Sequence, residues 1–374
     1  MRNSIAYTLT SAILFLLLSS CSRETVTDVS MLRPASFTYD RHWQPATLIA
    51  GTDTLTTHIR GRGHSTFRQP KHPYAVKLPK PQPLAGLPAH RNFILLANFF
   101  DHSLLRNALA LEAARRTSLA DVTPRWHFVK LTTDGQPQGL YLLTERVKDL
   151  IPQTDSLLQL DVYRWQEQRE AHQPIDSLPA GIRTDTLSLI DWWLIHEVCM
   201  NAEPCGPRSC YFRITSDSVL KAGPAWDFDM AFNELGIDNG GDLRPSRFRH
   251  AATLPPFLQG KTITWLTVDS LYCLRSPILR PYISDPHFRA LAARRWHQLR
   301  PHFRRLLPLL SCWSRTIRPY AEADQQRWNA LEPARFDPST SWRESVNHLH
   351  RTFRLRIKAL DGIMKEWRKE RPYP

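Results

Sequence analysis

The stretch AGPAWDFDMAF, residues 222–232, places two carboxylates on alternate positions among large aromatic side chains. Asp227 and Asp229 are flanked there by Trp226, Phe228 and Phe232. A carboxylate among apolar side chains is costly unless a metal ion, a basic partner or a set of hydrogen-bond donors compensates its charge. Divalent cations favour such hard oxygen ligands. The stretch therefore predicts either a cation site or a capped turn at the end of a strand.

A β-hairpin is predicted immediately before this stretch. Residues 209–215 (SCYFRIT) and 219–226 (VLKAGPAW) read as two strands around a turn at 216–218. A hairpin returns the chain to where it began, so Glu203, before the first strand, should lie near Asp227, after the second. Two acidic groups at the mouth of a cleft can hold a divalent cation, as they do in nucleotide-using enzymes.

Upstream of the hairpin the sequence predicts an antiparallel sheet with one helix, and far downstream it predicts mostly helix. A basic, glycine-containing loop at 60–73 (RGRGHSTFRQPKHP) joins two of the strands, and Pro79, Pro81 and Pro83 predict an irregular linker after the second of them. The predicted strands are 47–50, 55–60, 74–78, 92–99, 126–131 and 139–144, and the predicted helices run from Asp101 to Arg116 and from Asp185 to Val198.

Four segments resemble the spore coat protein H (CotH) kinase-like family. They are IRGRGHSTFRQPKHPYAVKL, NFILLANFFDHSLLRNALALE, GLYLLTERV and GPAWDFDMAF, in that order along the chain. The resemblance implies an α+β, atypical protein-kinase-like fold of two lobes. An antiparallel-sheet N-lobe would span 36–148 and a mainly helical C-lobe 149–374, after a signal peptide at 1–21 and a linker at 22–35.

The resemblance also implies a chemistry, which is transfer of the ATP γ-phosphate to Ser or Thr of a protein with Mg²⁺ or Mn²⁺ as the metal. Asp227 is then the metal-binding and catalytic position, and Asp229 a candidate second ligand. Further contacts are implied for the phosphates and the metal. Phosphate contacts would come from Arg60, Arg62, Lys71 and Lys77, neutral partners from Asn201 and Asn233, and Glu145 would pair with a lysine of the cleft or with a surface arginine. Arg68 and Lys80 are interpreted as solvated surface charges.

One departure from the family pattern concerns the catalytic base. Family members resemble kinases with an aspartate in the loop before the hairpin, whereas this loop reads NAEPCGPRS and Glu203 is its only acid. Glutamate carries the same charge one methylene further out, so it could accept the substrate proton only from a shifted loop. The alternatives are a weak kinase, an inactive pseudokinase serving as a surface adhesion or scaffold protein, or an enzyme that moves another part of ATP. A glycosidase is disfavoured because Asp227 and Asp229 lie on one strand end.

The first 21 residues are typical of an export signal. Arg2 supplies the positive start, residues 13–18 form an apolar run, and Leu18-Ser19-Ser20-Cys21 resembles a bacterial lipobox. We therefore expect an exported lipoprotein, periplasmic or at the cell surface, held to a membrane by a lipid on Cys21. An ordinary secretory signal or a short membrane anchor is the alternative.

The formal net charge of +14 is concentrated in the last third of the chain, at 289–305 and 351–371. The few aromatic residues among these arginines are spaced like helix core positions, which argues against nucleic acid as a partner and favours a solvated helix face. Three cysteines, Cys199, Cys205 and Cys210, lie close together without any zinc-binding spacing. A disulfide between Cys205 and Cys210 is the most plausible pairing in an oxidising compartment.

Overall fold

The structure is a computed structural model that describes residues 25–160, 182–201, 203–205, 209–232, 268–274, 276, 278–328 and 339–370. Its amino-terminal part is a closed seven-stranded barrel with the strand order β1-β2-β3-β4-β5-β7-β6. The strands are β1 (Val26–Leu32), β2 (Gln44–Ala50), β3 (Asp53–Gly61), β4 (Tyr74–Leu84), β5 (Leu87–Leu96), β6 (Trp126–Thr133) and β7 (Gln136–Glu145).

The barrel corrects two expectations. A linker is predicted over 22–35, but Val26–Leu32 is a strand whose Val29 and Met31 are buried in the barrel interior. An antiparallel sheet is predicted, but β1 runs parallel to β6, from Val26 opposite Phe128 to Met31 opposite Thr133. The alternation of apolar and polar residues in VTDVSML is the sequence signal for β1. Its two partner strands close the sheet, which removes both free edges.

A third correction concerns the prolines, because Pro79, Pro81 and Pro83 lie within β4 and not in a linker. β3 pairs with β4 only as far as Lys77, opposite His58. Beyond that point β4 is bonded only to β5, so its other edge needs no donors. Proline lacks the backbone N–H and is tolerated at such an edge.

Six helices and a second sheet accompany the barrel in the described residues, with one helix between β5 and β6 and the others after β7. The helices are α1 (Arg106–Ala114), α2 (Thr186–Val198), α3 (Arg280–Ser284), α4 (Pro286–Arg304), α5 (Leu306–Trp328) and α6 (Trp342–Trp367). The second sheet has the order β8-β10-β11-β9, from β8 (Ser156–Leu160), β9 (Arg183–Thr184), β10 (Cys210–Ile214) and β11 (Val219–Ala222). The mixed α+β class and the hairpin before the DFD stretch are thus confirmed.

None of the helices in the described ranges is both long and apolar enough to cross a bilayer. The barrel and the helices share one boundary, because outward-facing barrel residues such as Ala75, Ile94 and Phe128 belong to the same buried cluster as the helices. The barrel interior is a separate core.

Several of the late arginines were expected on a solvated helix face but are ion-paired with acids of neighbouring elements. Arg295 makes two hydrogen bonds to the fully buried Asp191, at 2.7 and 2.8 Å. The Arg304 guanidinium donates to Asp361 at 2.8 Å. A planar guanidinium suits such bidentate carboxylate contacts.

A completely buried ion pair joins α2 to α6. The Arg356 Nη2 lies 2.6 Å from Glu197 Oε2, and neither side chain is exposed. Arg356 also donates to the backbone oxygens of Glu197, Val268 and Ser270, while Glu197 accepts from the backbone N–H groups of Tyr272 and Cys273. Every strong donor and acceptor of the pair is therefore used, which is the condition for a buried pair to be tolerated.

We expect Arg356→Ala to lower the free energy of unfolding by about 3–5 kcal/mol, because it leaves the Glu197 carboxylate buried without its cation. Arg354, two positions earlier on the same helix, is exposed and provides the matched control Arg354→Ala. Urea titration monitored by tryptophan fluorescence measures both. Equal losses in the two variants would contradict the importance assigned to the pair.

Candidate functional site

The DFD turn, Asp227-Phe228-Asp229, is separated from the end of β11 by four residues and is held by helix α1. Asn107 of α1 accepts a hydrogen bond from the Phe228 backbone N–H at 2.8 Å. The Asn107 side-chain nitrogen donates to Asn98 Oδ1 at 2.9 Å, and Asn107 is buried. Asparagine is a poor helix former. Its place in α1 is explained because both ends of its amide are bonded to segments that meet at the site.

The preceding residue of α1 holds the other side of the turn. Arg106 is fully buried, and its Nη1 lies 3.4 Å from the backbone oxygen of Asp229. Asp101 accepts hydrogen bonds from the Ser103 N–H at 2.9 Å and from the Arg106 N–H at 2.8 Å, and the Arg106 Nε lies 3.4 Å from its carboxylate. Asp101 therefore caps the start of α1 and orients the arginine.

The loop before the hairpin does meet the DFD turn, as the hairpin geometry predicts. Asn201 donates from its side chain to the Asp227 backbone oxygen at 3.4 Å and accepts from the Glu203 N–H at 3.2 Å. Ser209 donates its hydroxyl to Asp227 Oδ2 at 2.8 Å. Glu203 is only 6% exposed, so its carboxylate is not presented openly to solvent. Asn233, the other amide assigned to the site, lies outside the described residues.

The electrostatics of the turn favour a positive ligand. Burial raises the pKa of Asp229 well above its ordinary range, and the neighbouring carboxylates of Asp227 and Asp101 raise it further. Arg106 and Arg62 lower the pKa but do not cancel these effects. The Arg62 guanidinium lies 5.9 Å from the ring centre of Trp226, so the basic loop reaches the turn. A cation between Asp227 and Asp229 would relieve the repulsion.

Within the described ranges no group of three or more His, Cys, Asp or Glu side chains is arranged to hold a metal ion. The turn offers the two carboxylates of Asp227 and Asp229. Mg²⁺ is usually held by one or two carboxylates, with substrate phosphates and water completing its six ligands. The residues present thus fit a metal that arrives with a nucleotide, and they do not fit a protein-only metal cage.

The assignment of Lys71 to the phosphates is wrong for this structure. The Lys71 ammonium is 1% exposed and lies 2.7 Å from both Asp324 Oδ2 and the Leu140 backbone oxygen. Asp324 also accepts from the Leu140 N–H at 2.7 Å. Gly139 makes room for this pair, since a Cβ there would lie 2.2 Å from Asp324 Oδ2. Lys71 therefore ties the basic loop to β7 and α5.

Arg60 and Lys77 lie together on the outer face of β3 and β4, and both are close to one tryptophan ring. The Arg60 guanidinium is 4.6 Å and the Lys77 ammonium 5.9 Å from the ring centre of Trp43. A cavity of about 250 Å³ opens beside them. Glu145 contacts neither cation in this arrangement, because its carboxylate accepts a 2.7 Å hydrogen bond from the Arg125 backbone N–H. Of the four predicted phosphate cations, Arg62 alone is brought to the DFD turn.

Left-handed backbone conformations are concentrated in the segments that build the site. Asp227 has φ 70°, and Phe232, Ser209 and Met200 have φ 59°, 49° and 51°. Residues other than glycine rarely adopt positive φ, and a bulky side chain makes it costly. Such strain persists where the surrounding contacts over-determine the conformation, which is common at functional sites.

Sequence reasoning missed a histidine beneath the turn. The His196 ring lies 5.1 Å from that of Phe228 and 4.3 Å from that of Trp192, measured between centres. Neither ring nitrogen has a hydrogen-bond partner in the described part of the chain. Burial lowers the pKa of His196 to about 3, so the ring is neutral. The helical spacing of Trp192 and His196 is a signal for this stack, but a polar residue in a core was not expected.

The cysteines correct one more expectation, since Cys205 and Cys210 are both buried and are not joined by a disulfide. Cys205 instead contacts the Tyr272 backbone oxygen, at 2.9 Å.

A comparison with models of known protein families shows which family this chain is related to. The model of the family described as CotH kinase protein matches residues 59–177 and 176–360. The chain belongs to the CotH kinase protein family. A search of curated proteins found no match. Membership establishes a kinase-like protein at the family level, and the matched region contains the basic loop, α1 and the DFD turn.

In this CotH kinase family member, Asn107→Ala should lower the free energy of unfolding by about 1–3 kcal/mol, because the Phe228 N–H and the Asn98 side chain each lose a buried partner. Amide hydrogen exchange should quicken at Phe228 in particular. Glu112→Ala, at a half-buried position of the same helix, is the control. Unchanged exchange at Phe228 in Asn107→Ala would refute the role of the amide.

The neutral His196 predicts an acid-sensitive fold. Its folded-state pKa of about 3 lies below the ordinary value of 6.5, so the unfolded chain binds the proton first and stability falls as the pH drops below 6.5. Between pH 6.5 and pH 5 the wild-type protein should lose about 2 kcal/mol of its free energy of unfolding, and His196→Phe should remove this loss. Urea titrations at the two pH values measure it. His297→Phe, at an exposed position of α4, should retain the wild-type pH dependence.

Proposed function

We propose that the chain is an exported, ATP-dependent phosphotransferase that uses Mg²⁺ or Mn²⁺ and transfers phosphate to Ser or Thr of an extracytoplasmic protein. Membership in the CotH kinase protein family supports the kinase-like chemistry. The barrel serves as the N-lobe and the helices with the second sheet as the C-lobe.

The observation that carries this proposal is the fixed DFD turn. Arg106 and Asn107 bond its backbone, which leaves the side chains of Asp227 and Asp229 available beside Arg62. Phosphoryl transfer depends mainly on positioning and on neutralising charge. A rigid pair of carboxylates next to a guanidinium meets both needs.

Each residue at the turn has a distinct role in the proposal. Asp227 and Asp229 hold the metal, which neutralises charge on the phosphates when it is bound. Arg62 contacts phosphate oxygens, for which its planar fork is suited. Glu203 acts as the acid/base group or, through Asn201, supports the position of Asp227. Arg60 and Lys77 bind a part of the nucleotide farther from the metal.

Replacing the metal ligand tests the proposal directly. Asp227→Ala should reduce phosphate incorporation from radiolabelled ATP by about a hundredfold or more, because charge stabilisation at the transferring group is lost. The thermal midpoint should change little. Asp53→Ala removes an exposed carboxylate at the start of β3 and should leave incorporation unchanged. If Asp227→Ala incorporates as much label as the wild-type protein, the proposal is refuted.

A second candidate function is a pseudokinase that serves as a surface adhesion or scaffold protein. The observation in its favour is the burial of Glu203, since a base must reach the substrate hydroxyl. A thermal-shift titration separates the two functions. Stabilisation by ATP only in the presence of Mg²⁺ or Mn²⁺ supports nucleotide use, while no stabilisation under any condition favours the scaffold.

Export and membrane anchoring are part of the proposal, although Cys21 lies outside the described residues. If Cys21 carries a lipid, the protein expressed in a bacterial host should partition into the detergent phase of a Triton X-114 separation. Cys21→Ser should move it to the aqueous phase, since covalent lipid is a main source of membrane affinity. Mass spectrometry of the amino-terminal peptide checks the modification itself, and an unmodified Cys21 would refute it.

A further inference from the structure

One face of α6 carries a row of cations that the proposed function does not use. We call Arg343, Arg351, Arg354, Lys358 and Lys365 the cationic stripe, and all five are exposed. At 3.6 residues per turn they fall within an arc of about 80° and extend along about 33 Å of the helix. Asn347 also lies near the middle of this arc, and its side chain is uncharged.

The charges of the stripe are not balanced by nearby acids. Asp361, at the margin of the face, is already bonded to Arg304 and to Trp296 of α4. Glu366 is paired with Lys369 at 2.8 Å, and Lys369 and, more weakly, Lys365 lower its pKa, so this one acid is shared between two cations. Among the described residues, no member of the stripe forms an ion pair, in contrast to the arginines of α4. Five like charges held along one helix repel one another, so an anionic partner is favoured.

The described chain begins beside a part of the barrel that contacts helix α5. Val26 of β1 pairs with Phe128 of β6. The Phe128 ring is 5.1 Å from that of Trp126, which is in turn 5.1 Å from that of Trp313 on α5, between centres. The start of the barrel is thereby in contact with α5.

α5 also contacts α6 beside the stripe. Ser311 Oγ lies 3.2 Å from His350 Nε2, and the next residue is Arg351. Cys21 precedes Thr25, the first described residue, by four positions, and four residues span at most about 14 Å. A lipid on Cys21 would therefore hold the membrane surface close to the start of β1, next to the part of the barrel that contacts α5.

We propose that the cationic stripe docks on an anionic phospholipid membrane and orients the kinase domain there. This inference rests on the proposed export and anchoring. A basic patch adds electrostatic attraction to an anionic membrane beyond the affinity that a covalent lipid supplies. Each cation near such a surface strengthens binding roughly fivefold.

A membrane fits the stripe better than nucleic acid does. The exposed arc contains no aromatic side chain on which bases could stack. The five cations lie along a straight helix, and that arrangement matches a flat layer of phosphate groups. Nucleic acid is therefore treated as the competing outcome of the test.

The experiment uses the full chain with Cys21→Ser, so that any lipid is absent. Its co-sedimentation with vesicles containing phosphatidylglycerol should exceed that with phosphatidylcholine alone, and added salt should weaken it. Replacing three stripe residues together, Arg351→Gln, Arg354→Gln and Lys358→Gln, should weaken binding about a hundredfold.

The matched control removes three exposed cations of the barrel, by Arg68→Gln, Lys80→Gln and Arg91→Gln. Net charge then falls equally, but binding should change much less. Equal weakening in both variants, no preference for phosphatidylglycerol, or tighter binding to a DNA duplex than to vesicles would overturn the inference. Asp227→Ala should bind vesicles like the parent, so failure of the phosphotransferase proposal remains a separate result.

Discussion

The side-chain amide of Asn107 is the constraint on which the rest of the site depends. Its oxygen accepts from the Phe228 N–H and its nitrogen donates to Asn98, in the segment that leaves β5. α1 follows the barrel strand β5, whereas the DFD turn follows β11 of the second sheet. One buried side chain thus sets the position of the turn relative to the barrel. Because a buried amide is tolerated only with its partners in place, neither segment can shift independently.

Buried charge is used in two different ways in this protein. Glu197 with Arg356, and Lys71 with Asp324, are closed pairs whose donors and acceptors are taken up by each other and by the backbone. At the DFD turn the carboxylates outnumber the cations that reach them, and the pKa of Asp229 rises accordingly. The first arrangement stabilises the fold. The second leaves an excess of negative charge where a cation can be bound.

The sequence predicted the local geometry of the site well, because neighbouring elements determine it. The hairpin returns the loop that precedes it to the DFD turn, where the Asn201 side chain donates to the Asp227 backbone oxygen. Sequence reasoning failed for Lys71, whose partner Asp324 is 253 positions away along the chain. A basic loop cannot reveal which of its cations will be covered by a distant helix. The same limit applies to β1, because its second partner strand, β6, lies far from it along the sequence.

The parallel pairing of β1 with β6 has a consequence for the order of assembly. Thr27 lies opposite Val129, and its hydroxyl contacts His127, 100 positions further along the chain. Forming contacts between such distant residues requires closing a long loop, and the entropy lost in doing so comes before the contacts can stabilise the fold. As the chain emerges from its amino terminus, β1 is the first strand available, but one of its edges has no partner until β6 follows. The barrel therefore cannot close while only its first five strands have been synthesised. The first strand to be made, β1, is among the last to have both of its edges paired.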